Sequence, residues 1–170
     1  TPSYIDSKYI KEILDSLRDR NLNKIQSEDD ISITIEVNPG TVTKGKLQEY
    51  KNIGINRLSI GLQSTKNELL QEIGRIHKYE DFLQTYKMAR ELGFNNINVD
   101  LMIGLPNQTI ADIKESLEEV TKLNPEHISV YSLIVEENTP MQKLIESKVL
   151  ELPDEELERQ MYWYVKDFLE

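Results

Sequence analysis

Four runs of this chain alternate aliphatic and polar residues, and helical patterns separate them. The runs are "ISITIEVN" (31–38), "NRLSIGLQS" (56–64), "NINVDLMIGL" (96–105) and "HISVYSLIV" (127–135). Strands alternating with helices predict βαβ units and a parallel sheet, hence an α/β fold. The strict alternation adds a second constraint. Ile35 and Val37 oppose Glu36 and Asn38; Leu58, Ile60 and Leu62 oppose Ser59, Gly61 and Gln63. Ile97, Val99, Leu101 and Ile103 oppose Asn98, Asp100 and Met102; Ile128 and Val130 oppose Ser129 and Tyr131. Parallel sheets are normally covered on both faces and rarely alternate so cleanly. A parallel sheet with helices on one face and a polar lumen on the other meets both constraints. That is a partial barrel of about four strands, with its working residues at the strands' C-terminal ends.

Local signals punctuate the pattern. Ahead of the first run, Ile10, Ile13, Leu14 and Leu17 recur at helical spacing, with Ser3 as the expected N-cap. Thr43 is expected to cap a short helix that ends before Gly54. The amphipathic segment "YEDFLQTYKMAREL" stops at Gly93, a C′ position. Thr109 and Asp112 form a capping-box pair ahead of Ile113, Leu117 and Val120. A loop with Pro140, a short helix and a last helix led by Pro153 and acids complete the series. Without a linker-like tract, residues 1–170 are expected to form one domain.

Composition sets limits. A chain of 170 residues with 38% hydrophobic and 29% charged residues suits a globular domain with a real core. The formal charge of −10 offers no basic stripe, which argues against a nucleic-acid partner. No apolar run is long enough for a membrane span, and no signal sequence opens the chain. There is no cysteine, so these residues supply no disulfide, thiolate nucleophile or cysteine-held cluster; the expected location is the cytoplasm.

Glu36, Gln63, Arg75 and Asp100 are candidates for one polar site. A buried carboxylate is costly unless it is paired or hydrogen-bonded. Two acids, an amide and a guanidinium could meet a ligand that bears an amine, a carboxylate and hydroxyls. The alternative is that Glu36 or Asp100 pairs with a base such as Arg57 and only closes the barrel. Asp100 is the stronger candidate, because aliphatic residues flank it on both sides. Tyr131 either fills the lumen or stacks on a purine. His77, in the loop "GRIH", is expected to be solvated, and His127, at a strand entry, structural.

The stretches "TIEVNPGT", "GINRLSIGLQS", "LLQEIGRIHK", "ARELGFNNINVDLMIGLPNQT", "LNPEHISVYSLIVEENTP" and "LPDEELERQMY" follow one another in this order. Together they resemble the oxygen-independent coproporphyrinogen III oxidase-like radical SAM proteins. "NPGT" and "GRIH" lean toward the haem-chaperone (HemW-like) branch. The resemblance implies a partial (β/α)6 barrel that holds S-adenosylmethionine on a [4Fe–4S] cluster and generates a 5′-deoxyadenosyl radical. It implies Glu36 near the methionyl end, Arg75 on the carboxylate, Gln63 and Asp100 at the ribose hydroxyls, and Tyr131 beside the adenosyl group. The opening "TPS" resembles the tail of a GGGTPS motif that cradles the methionyl amine, which adds Thr1.

It further implies that the chain carries barrel strands three to six of a longer protein, without the cluster cysteines or the C-terminal domain. Such a piece is not expected to be active alone, and its exposed barrel edge offers a surface for self-association. Two functions follow from the resemblance. One is a haem chaperone that binds and transfers haem; the other is a coproporphyrinogen III oxidase that converts propionates to vinyls. An α/β domain whose buried acids are only structural stands as the third expectation.

Overall fold

The computed structural model describes residues 2–21 and 31–170. Four strands, β1 (Thr34–Val37), β2 (Arg57–Gln63), β3 (Ile97–Ile103) and β4 (His127–Ser132), form one sheet in the order β1-β2-β3-β4. All three pairings are parallel. The helices are α1 (Ser7–Asn21), α2 (Lys44–Asn52), α3 (Asn67–Glu72), α4 (Tyr79–Glu91), α5 (Ile110–Lys122), α6 (Pro140–Glu146) and α7 (Glu155–Leu169). No described helix is long and apolar enough to cross a membrane.

The alternation sorts the faces as expected. Ile35, Val37, Leu58, Ile60, Leu62, Ile97, Val99, Leu101 and Ile103 are all buried in one core. Leu47 and Tyr50 of α2, Phe82 and Ala89 of α4, Ile113, Leu117 and Val120 of α5, and Met161 and Val165 of α7 complete it. The core therefore lies between the sheet's aliphatic face and the helices. The other face carries Glu36, Ser59, Asn98, Asp100 and Ser129.

The caps hold the helices where the chemistry of their ends requires. Thr43 Oγ1 accepts from Lys46 N at 3.2 Å. Thr109 and Asp112 form the reciprocal capping box. Gly93 turns the chain after α4 with φ +79°, a conformation that costs a residue with a Cβ. Pro140 sits at the start of α6, and Asp154 caps α7 by accepting from Leu157 N at 2.7 Å.

Three expectations are corrected. Ser3 does not cap α1: it is buried in a 3₁₀ turn (Pro2–Tyr4), and Asp6 caps the helix instead by accepting from Lys8 N at 2.9 Å. Of the expected apolar stripe of α1, Ile10 and Leu14 pack on the core, whereas Ile13 and Leu17 are exposed. The first strand starts at Thr34 rather than Ile31. The Asn56 side chain takes the place of ladder bonds there, donating to Ile31 O at 2.6 Å and accepting from Ile33 N at 2.8 Å. The short helix α3 had no counterpart among the sequence signals. It places the loop that carries Arg75 and His77 beside the C-terminal end of the sheet.

At that end β3 stops at Ile103, and Gly104, with a φ of +73°, turns the chain away. β4 stops correspondingly early. Leu133 N still donates at 2.9 Å to the carbonyl of Ile103, the last residue of β3.

Candidate functional site

The polar face is organised around Asp100, which is half-buried in the middle of β3. Ser59 Oγ donates to Asp100 Oδ2 at 3.0 Å. Asn98 Nδ2 donates to Asp100 Oδ1 at 2.6 Å and to Ser59 Oγ at 2.9 Å. Burial pushes the Asp100 carboxyl above the usual range, the Ser59 and Asn98 hydrogen bonds pull it down, and the nearby Glu36 charge pushes it up again. Arg57 offsets part of that effect from a distance. Neither Glu36 nor Asp100 forms an ion pair among the described residues. Arg57 instead donates to Thr34 Oγ1 at 3.4 Å. The expectation that a base closes the barrel by pairing with these acids is thus not met among the described residues.

Gln63 reaches the same face by an unexpected route. The β2–β3 register shifts between Gly61 and Gln63, and Gln63 has φ +66°. Left-handed backbone is uncommon for a residue with a Cβ and points to a local constraint. Its amide folds back over Gly61, where an added Cβ would lie 2.9 Å from Gln63 Nε2. Gly61 pairs with Asp100 across the ladder, so the Gln63 amide stands over the row that holds the carboxylate. Gln63 is 2% exposed, and its Oε1 is buried with no hydrogen-bond partner among the described residues. Such an orphan acceptor costs about 1–3 kcal/mol, which a ligand donor would recover.

His77 pins this bulge. Contrary to the expectation of a solvated side chain, it is 5% exposed, and its Nε2 lies 3.3 Å from Leu62 O. Because a carbonyl only accepts, Nε2 carries the proton. The same carbonyl accepts from Ser64 N at 2.9 Å. Burial pushes the His77 imidazole below its usual range, the Leu62 bond raises it, and the Arg75 charge lowers it further.

Arg75 is half-buried and donates from Nη1 to Asn38 Oδ1 at 3.4 Å. It lines a cleft of about 370 Å³ with Met102, Leu133, Glu136, Thr139 and Met141 at the C-terminal end of the sheet. Glu36 is exposed on β1, with Val37 and Asn38 leading to that end. Tyr131 is 44% exposed and pairs in register with Met102, two residues beyond Asp100. Thr1 lies outside the described residues. Glu36, Asp100 and Gln63 therefore share one face, with Tyr131 further along it and Arg75 at its rim. The residues of the site that the sequence reading did not assign to it are Asn98, Ser59, Ser129 and His77, the last having been expected to be solvated. The first three were visible as the polar half of the alternation; no local signal showed that His77 would be buried.

The residues can be matched to a cofactor by their donor set. An orphan amide oxygen, a desolvated carboxylate, an exposed carboxylate and a guanidinium suit a ligand with hydroxyl, ammonium and carboxylate groups. They do not suit an iron–sulfur cluster, since none of the 170 residues is a cysteine. No group of three or more potential ligands among the described residues is placed to hold a metal ion.

Comparison with known proteins shows what the chain as a whole is similar to. The sequence profile of the Radical SAM superfamily matches residues 3–120. The chain is similar to the heme chaperone HemW of Bacillus subtilis, at 38% identity over 171 residues, covering 100% of this chain and 44% of that protein. It is similar to the Escherichia coli heme chaperone HemW at 38% identity over 156 residues, covering 92% of this chain and 39% of that one. Among solved structures it resembles coproporphyrinogen III oxidase (HemN) of Escherichia coli, with a TM-score of 0.78 and 28% identity. That match covers 99% of this chain and 38% of the enzyme. The chain thus spans less than half the length of these relatives.

Proposed function

This chain belongs to the radical SAM superfamily, and on that basis we propose that its polar sheet face is the S-adenosylmethionine-binding wall of a haem chaperone. The observation that carries the proposal is the buried, unpartnered Gln63 Oε1 standing over the Asp100 row. Asp100 and Gln63 accept hydrogen bonds from the ribose hydroxyls. Glu36 accepts from the methionyl ammonium, Arg75 pairs with the carboxylate, and Tyr131 lines the adenosyl end. Thr1 belongs to the loop that cradles the ammonium. The cofactor, when bound to a reduced [4Fe–4S] cluster, supplies a carbon-centred radical. The residues of this chain bind and orient it, and the cluster would take its thiolates from outside them.

Support for the chaperone role comes from relatives bearing that name at 38% identity. The oxidase is the second reading, supported by the 28% identity to the enzyme of known structure. The partner in either case is a tetrapyrrole, haem or a porphyrinogen. The deciding experiment incubates the intact, cluster-reconstituted protein with haem and, separately, with coproporphyrinogen III, S-adenosylmethionine and reductant. A haem absorbance shift with no vinyl product is expected. Decarboxylation of the propionates would overturn the chaperone reading.

A further inference from the structure

Asn98 stands behind Asp100 on the same strand, toward its N-terminal end. It is 2% exposed, yet every hydrogen-bonding position of its amide is used. Nδ2 donates to Asp100 Oδ1 at 2.6 Å and to Ser59 Oγ at 2.9 Å. Oδ1 accepts from Ser129 Oγ at 3.0 Å and lies 2.5 Å from His127 Nδ1. Two donors and two acceptors are the full inventory of a carboxamide. The amide therefore has one orientation. Flipping it would set Oδ1 against a carboxylate oxygen and turn its Nδ2 donors toward an imidazole N–H and a hydroxyl. Because Oδ1 can only accept, the Nδ1 of His127 carries its proton.

We propose that Asn98 is a positioning residue of the site: clamped by Ser129 and His127 of β4, its amide fixes the Asp100 carboxylate of β3 in one orientation for a ligand's hydroxyls. The inference rests on the S-adenosylmethionine reading for the identity of that ligand, but the clamp itself is a property of the free protein. It also gives β4, the last strand of the sheet, a part in a site whose acid lies on its neighbour. Ser59 closes the triangle from β2 by donating to Asp100 Oδ2 at 3.0 Å. The carboxylate is thus held through both oxygens by donors from two strands, which leaves it an acceptor toward the ligand.

The clamp also bears on ionisation. Asp100 is pushed up by burial and by Glu36 of β1, and held down by Ser59, Asn98 and the more distant Arg57 of β2. Of the two titratable groups on β4, His127 and Tyr131, His127 is linked to Asp100 through the Asn98 amide. Deleting the Asn98 donor removes one of the influences that keep the carboxylate charged. Asp100 then takes up a proton at a higher pH and turns from an acceptor into a mixed donor and acceptor.

The test titrates the Asp100 side-chain carbonyl by carbon-13 NMR in the intact, ligand-free protein and measures S-adenosylmethionine affinity from pH 5 to 8. In Asn98→Leu the Asp100 midpoint is expected to rise. Affinity is expected to fall about tenfold at the acid end, and less at pH 8. Asn98→Thr keeps one hydroxyl donor on a side chain suited to strands and is expected to fall between, which keeps the test available if the leucine variant folds poorly. An Asp100 midpoint unchanged in both variants would overturn the inference. If the midpoint shifts while Asp100→Ala leaves S-adenosylmethionine affinity intact, the clamp stands and the ligand assignment falls.

Discussion

Gly61→Ala separates the site from the fold. Gly61 does not have a positive φ, so its backbone accepts alanine. The new methyl would sit 2.9 Å from Gln63 Nε2, 3.4 Å from Oε1 and 3.6 Å from Cδ. All of these atoms are the far end of a flexible side chain, and that end gives way. Replacing a strand glycine by alanine contributes about 0.5–1 kcal/mol of stability. Driving the Gln63 side chain off its rotamer costs about 0.5–1.5 kcal/mol. The net change in stability is thus within about 1 kcal/mol of zero. Binding does not cancel in the same way. Removing the Gln63 acceptor from a ligand hydroxyl loses about 1–1.5 kcal/mol, close to tenfold in affinity.

Urea denaturation and calorimetric titration with S-adenosylmethionine on the same samples read the two effects. Gln63→Ala is expected to show a similar affinity loss, and the double variant little more, because both changes act through one amide. Additive affinity losses, or a Gly61→Ala destabilisation above about 3 kcal/mol, would refute this account of how Gln63 reaches the lumen.

Other outcomes are expected from the same geometry. His77 titrates below its unfolded value because burial disfavours its charge. The unfolded chain therefore binds more protons, and the His77 contribution to stability is complete above about pH 6.5 and is lost as pH falls from there toward the folded midpoint. His77→Gln should flatten the stability profile across that window in denaturation experiments. Asp154→Ala removes the 2.7 Å bond to Leu157 N and should cost about 1 kcal/mol in the same assay. Leu117→Ala, at a fully buried position of α5, should cost about 2–5 kcal/mol.

Much of this was legible from local pattern. Period-two alternation sorted the sheet's faces correctly at Ile35, Ile60, Val99 and Asp100, because the main core packs helices on the aliphatic face, while α3 meets the other face only at its end, through Leu69 and Met102. Thr43, Thr109 and Gly93 marked helix ends through bonds made within a few residues. What escaped depends on distant partners. Gln63 adopts φ +66° in a bulge closed from outside its strand by His77, fourteen residues on. Nothing local predicts it, since glutamine has no preference for that conformation. His77 looked like a loop histidine until the Leu62 carbonyl supplied a partner. Asn98 looked like one more polar residue, and only the register of β3 with β2 and β4 brought Ser59, Ser129 and His127 to it. Ser3 carried the right chemistry for a cap but lies in the turn before Asp6, which does the capping.

The most direct test is equilibrium binding of S-adenosylmethionine to the intact protein and to its Asp100→Ala variant, with folding checked by denaturation. Losing a hydrogen-bonded charged acceptor should weaken binding at least tenfold, or about 1.5–3 kcal/mol. Unchanged affinity in a folded Asp100→Ala protein would contradict the assignment of the polar sheet face as the binding wall.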